Sequence, residues 1–113
     1  MTPSEFCEIA LSLPETSQTE DETRPDFQVR GKVFASLFPA DGWGVIKLTA
    51  EVQTELVAEA PQEFEACNGA WGRSGATTVI LKDAQNDQVL RALMSAWRKN
   101  APRSLADELH EPE

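Results

Sequence analysis

The stretch from Pro25 to Phe38, PDFQVRGKVFASLF, constrains the fold more than any other part of the chain. Two runs of strand composition meet at Arg30-Gly31. Glycine takes φ > 0 without steric cost, so this dipeptide closes a two-residue hairpin. Val29 is then expected to pair with Lys32, and Phe27 with Phe34. That register puts Phe27, Val29, Phe34 and Phe38 on one face, which is assigned to the core. A turn at Pro39-Ala40-Asp41-Gly42 leads into a third strand, Trp43 to Leu48, which extends the hairpin into a meander.

Helices flank the meander. Thr2, Pro3 and Glu5 make a capping box with proline at the first helical position, and Phe6, Ile9, Ala10 and Leu13 follow at helical spacing. Pro14 stops this helix, and residues 15–25 read as an exposed acidic loop. Thr49 caps a second helix over about residues 50–60, with Val52, Leu56 and Ala60 inward. Glu51, Glu55 and Glu59 mark its solvated face, a commoner pattern than a metal site. A short strand follows near Phe64 to Cys67, then a glycine-rich stretch from Asn68 to Gly75, then a β-branched strand from Thr77 to Lys82. The last long helix is expected over about residues 84–99, with Val89, Leu90, Leu93, Met94 and Trp97 buried. Residues 103–113 read as an acidic tail with a helical turn around Leu105 and Leu109. The order αβββαββα predicts an α+β two-layer sandwich: a five- or six-stranded antiparallel sheet with helices on one face. Phe6, Ile9, Phe34, Leu56, Leu93 and Trp97 should be buried.

A chain of 113 residues is expected to form a single domain, 1–113, with its acidic tail at about 104–113. It has no apolar run near the ~20 residues that span a bilayer, and no basic start followed by an apolar stretch. Cys7 and Cys67 read as reduced thiols. Together these features predict a cytoplasmic protein, expected to be a monomer.

The net charge of -9 conceals segregation. Residues 1–23 hold six acids and no base, and residues 50–70 hold five acids and no base. All ten bases therefore fall within residues 24–49 and 71–103. Such patches act locally, because the Debye length is only ~8 Å at physiological salt.

No motif supports catalysis. Gly72-Arg73-Ser74-Gly75 lacks the G-x-S-x-G spacing of a nucleophile elbow, and the single histidine, His110, sits among acids in the tail. The glycines match neither a Walker loop nor a dinucleotide fingerprint, and a zinc site would need more Cys and His. The reading is a non-catalytic protein with no cofactor and no metal. Trp71-Gly72-Arg73-Ser74-Gly75 is the most unusual composition. An aromatic beside an arginine can stack on a base or clamp an anion. The commoner outcome is that Trp71 plugs the core edge while the glycines permit a bulge. Trp97 is expected in the core and Trp43, beside a turn, half exposed. Arg30, Lys32, Lys47, Trp71, Arg73 and Arg98 are the candidate binding residues for DNA or an anion.

Five segments carry a family resemblance: Pro25-Asp26-Phe27, Gly31-Lys32-Val33-Phe34-Ala35, Gly44 to Thr49, Gly69-Ala70-Trp71-Gly72-Arg73, and Ala96-Trp97-Arg98 before Ala101-Pro102. In that order the chain resembles the MmcQ/YjbR family of small bacterial proteins over nearly its whole length. The resemblance implies a frataxin/CyaY-like two-layer sandwich and double-wing DNA binding through hairpin tips. The family often has His before Pro-Asp-Phe, where this chain has Arg24, and a bulky aromatic where it has Ala76. No role is carried over to those two positions. The frataxin-like fold also raises a divalent-cation reading for the acids of the first helix and its following loop. The expected partner is DNA, bound weakly and with strong salt dependence given the net charge; the alternative is an unidentified protein or a small anion.

Overall fold

The computed structural model describes residues 1–106. The chain runs α1 (Pro3–Leu11), β1 (Thr16–Gln18), β2 (Asp26–Val29), β3 (Lys32–Phe38), β4 (Trp43–Lys47), α2 (Ala50–Glu59), β5 (Phe64–Ala66), α3 (Gly69–Arg73), β6 (Ala76–Ile80), α4 (Asn86–Asn100) and α5 (Arg103–Ala106). The six strands form one antiparallel sheet in the order β1-β2-β3-β4-β6-β5. The predicted α+β class and sheet are therefore present, with six strands rather than five.

Local chemistry explains most boundaries. The Thr2–Glu5 capping box is formed in both directions, with Glu5 N donating to Thr2 Oγ1 at 3.1 Å and Thr2 N to Glu5 Oε1 at 2.9 Å. Such a cap stabilises a helix by roughly 1 kcal/mol. Thr49 caps α2 by accepting from Val52 N. Arg30 and Gly31 both have positive φ, 49° and 84°, as a type I′ hairpin turn requires.

The core lies between one sheet face and the helices. Phe6 and Ala10 of α1, Leu56 of α2 and Val89, Ala92, Leu93, Ala96 and Trp97 of α4 meet Phe27, Val29, Phe34, Ala35, Leu37, Ile46, Phe64 and Val79 of the sheet. Phe6 and Phe27 rings pack at 5.9 Å, and the Trp97 indole donates to Pro14 O at 2.9 Å. Each fully buried Phe or Leu contributes about 1.5–3 kcal/mol.

Several sequence expectations need correction. Val29 pairs with Lys32, but Phe27 pairs with Ala35, because Phe34 is an extra residue in a β-bulge between the two registers. A bulge inverts the side-chain alternation beyond it. Ala35 and Leu37 therefore face the core, and Phe38 turns to the opposite face with Ser36, whose hydroxyl donates to Asp26 at 2.5 Å. The supposed loop of residues 15–25 contains β1, a short polar edge strand. The Asn68–Gly75 stretch contains α3. The sixth strand ends at Ile80 and a 3-10 turn, Leu81–Asp83, follows it. The long helix starts at Asn86 rather than 84. Ile9 and Leu90 are half-buried. Leu105 is buried within α5, so the predicted tail begins as core structure. Leu109 and His110 lie outside the described residues.

Candidate nucleic-acid interface

Antiparallel pairing brings chain segments far apart in sequence to one end of the sheet. The β2–β3 turn, the end of β4 and the start of β6 lie there, since Val29 faces Lys32 and Lys47 faces Ala76. The C-terminus of α4 joins them: Lys99 Nζ donates to Leu48 O at 2.8 Å and Asn100 Nδ2 to Lys47 O at 3.5 Å. A crevice of about 200 Å³ separates Arg30 and Lys32 from Asn100, Ala101 and Pro102. The α3 segment closes the same end through the Leu48 N to Gly75 O bond at 3.1 Å.

Arg30, Lys32, Lys47, Arg73, Arg98, Lys99 and Arg103 thus share this end, although the sequence divides them between two basic blocks. Arg24 and Lys82 lie at the opposite end, and Arg91 lies mid-helix in a cleft with Glu55 and Glu59. Among the described residues two acids stand among the cations. Glu51 is exposed in the first turn of α2. Glu15 binds Arg30 in a two-pronged pair, Nε to Oε1 at 2.6 Å and Nη2 to Oε2 at 2.9 Å. The Arg30 hydrogen bond holds the Glu15 carboxyl below the usual carboxylate range. Arg30 is therefore a locally compensated charge, and Lys32, at the foot of the same turn, is exposed.

The backbone beneath this cluster is tightly built. A Cβ on Gly72 would lie 1.6 Å from Cys67 O, and one on Gly75 1.9 Å from Leu48 O. Gln53, buried on α2, donates through Nε2 to both Gly72 O and Ala76 O at 2.9 Å. Gly72 and Gly75 serve close backbone packing rather than flexibility. Trp71 does not plug the core: it is 52 % exposed. Trp43 is half exposed at 44 %, and Trp97 is fully buried, as expected.

Trp71 and Trp43 flank a groove of about 470 Å³ on the sheet face opposite α1 and α4, with Phe38, Val45, Cys67 and Ile80 among its walls. Phe38 and Trp43 meet edge to face at 6.3 Å, and the Arg24 guanidinium lies 5.7 Å from the Phe38 ring centre. Sequence reasoning did not name Phe38, Trp43, Arg24 or Lys99 among the candidate binding residues, although it expected Trp43 half exposed. The alternation of Trp43, Val45 and Lys47 was visible, but which strand face lacked a helix was not. Among the described residues no group of three or more His, Cys, Asp or Glu converges as a metal-holding cluster. No helix among them is long and apolar enough to cross a membrane.

The sheet with α1 and α4 on one side, and the Trp-Gly-Arg segment closing the basic end, define a small α+β class. The chain matches the YjbR family over residues 11–99, well over half its length, and belongs to that family. It is similar in fold to the crystal structure of Deinococcus radiodurans protein DR2400, which carries a DUF419 domain. That likeness has a TM-score of 0.73 at 18 % identity and covers 98 % of this chain and 89 % of the other. No curated protein matches the chain.

Proposed function

We propose that the protein is a non-catalytic nucleic-acid-binding module that meets the phosphate backbone with the basic end of its sheet. The observation that carries this reading is the gathering of Lys32, Lys47, Arg73 and Lys99 around one end of the sheet. The net charge of -9 makes the protein as a whole repel polyanions while this end attracts them. Four phosphate contacts give a salt slope near -3.6, about 0.9 per contact, so binding falls roughly 150-fold between 50 and 200 mM salt.

Anisotropy titration of a labelled duplex at 20–50 mM salt tests the reading. Binding with that slope, abolished in Lys32→Glu/Lys47→Glu, supports it. The double variant leaves the Arg30–Glu15 pair intact, so its effect reports lost cations rather than a broken hairpin. The exposed indoles favour a second reading, a protein-interaction domain, and absence of binding to duplex and single strand alike at 20 mM salt would favour that reading instead.

A further inference from the structure

The groove on the uncovered sheet face is not used by backbone contacts at the basic end. Its composition is unusual for an open surface: the Trp43 and Trp71 indoles stand half exposed, with Phe38, Val45 and Ile80 between and beside them. Both indoles are held by regular structure. Trp43 begins β4 and is braced edge-on by Phe38; Trp71 sits in α3, whose neighbour Gly72 is locked against Cys67. A braced Trp43 ring, and a Trp71 carried on a fixed backbone, lose little further freedom when a flat ligand stacks on them.

Charge chooses among flat ligands. Arg24 stands at the Phe38 end of the groove. Lys47 stands in the same outward row of β4 as Trp43 and Val45, about 13 Å further along at ~3.3 Å per residue. Arg73 follows Trp71 by two positions and is exposed. A polyanion laid along β4 therefore meets Lys47 at one end of an aromatic floor and, at the other, Arg24, whose neighbour Asp21 partly offsets its charge. Glu65 is the one carboxylate among the described residues lining the groove, and it lies on β5 at the edge of the sheet, off that path.

We propose that this groove takes the unpaired bases of a single-stranded nucleic acid, which stack on Trp43 and Trp71 while the phosphates run from Arg24 toward Lys47 and Arg73. Every base has a π-face, so such binding tolerates sequence and excludes a duplex, whose bases are already stacked. The proposal deepens the nucleic-acid reading above and rests on it. It names the strand state that the groove selects.

The test uses a fluorescein-labelled 12-mer of oligo(dT) and a mixed-sequence duplex of equal length at 20 mM salt, with intrinsic tryptophan fluorescence as a second readout. The expected result is tighter binding of oligo(dT) than of duplex, with quenching of the exposed indoles. Trp43→Ala and Trp71→Ala each weaken oligo(dT) binding about 10-fold and change duplex affinity less than twofold. Trp71→Phe restores most of the loss, because a phenyl ring still stacks, and this separates stacking from misfolding. Glu65→Gln tightens oligo(dT) binding. Duplex binding with no oligo(dT) binding, or oligo(dT) binding indifferent to both tryptophans, overturns the groove proposal and leaves the basic-end reading standing. Binding to neither nucleic acid overturns both.

Discussion

Trp97 and Trp71 lie on opposite sides of the same sheet. Trp97 is sealed between α4 and the strands, its indole nitrogen satisfied by Pro14 O, with no exposed surface. Trp71 stands over the other face with half its surface in water, on a helix of five residues. The covered face is continuous from Phe27 to Phe64, and the helices complete it. The open face is apolar only in its centre, around Phe38, Trp43, Val45 and Ile80. Large apolar side chains on a closed face are explained by stability. On an open face they cost solubility, which points to a binding role.

Stability measurements test this division most directly. Trp97→Ala should cost about 3–5 kcal/mol in urea denaturation, from lost transfer energy, the cavity left behind and an orphaned carbonyl. Trp71→Ala should change stability by about 0.5 kcal/mol, as exposed substitutions do. Equal losses would show that the open face is packed in solution and would remove the contrast between the two sides.

A smaller effect sharpens the same contrast within the α3 segment. Gly72→Ala places a methyl into the Cys67 carbonyl and should cost about 2–3 kcal/mol, the usual scale of overpacking. Gly31→Ala at the hairpin turn meets no atom within 4 Å, and its cost is the positive φ of 84° alone, about 1 kcal/mol. Comparable losses at the two sites would indicate that the backbone near Gly72 relaxes readily, so that Trp71 does not stand on a rigid mount.

The helices and the meander were legible because their signals are local. Thr2, Pro3 and Glu5 specify a cap within a single turn, and Arg30-Gly31 fixes its own turn type. The bulge at Phe34 was not legible. Strict alternation in VFASLF groups Phe34, Ser36 and Phe38, and only the pairing of Ser36 with Asp26 across the sheet shows the parity changing. β1 was hidden for a related reason: an edge strand of three polar residues carries no apolar pattern. The basic end was half legible. The sequence showed two basic blocks, but their meeting depends on the β4–β6 pairing and the docking of α4, both long-range. The open groove was the least legible part, because a lone exposed tryptophan reads in sequence like a core residue until the covering helices are placed.

The smallest effect concerns the hairpin at the basic end, where Glu15 offsets Arg30. The folded carboxyl is held below its ordinary range by the Arg30 hydrogen bond, so its contribution to stability exists above the unfolded pKa and disappears as pH falls through the folded one. Arginine stays charged throughout, so the titration belongs to Glu15 alone. The stability difference between the native chain and Glu15→Gln should be small and flat from pH 5 to 8, because the pair is half exposed. It should shrink below the ordinary glutamate value of about 4.3, and at neutral pH it should shrink in high salt. Other acids titrate in both proteins and cancel in the difference. A difference that persists at pH 2 would trace instead to the backbone of Glu15, whose φ of 52° is as unusual as that of Arg30. In that case the loop geometry, rather than the charge of the carboxylate, sets the position of the hairpin tip, and Arg30 could give up its partner to a phosphate without cost to the fold. A difference that follows the titration means that a phosphate must compete with Glu15 for Arg30. Glu15→Gln should then strengthen nucleic-acid binding at pH 7, where Lys32 and Lys47 gain an uncompensated neighbour.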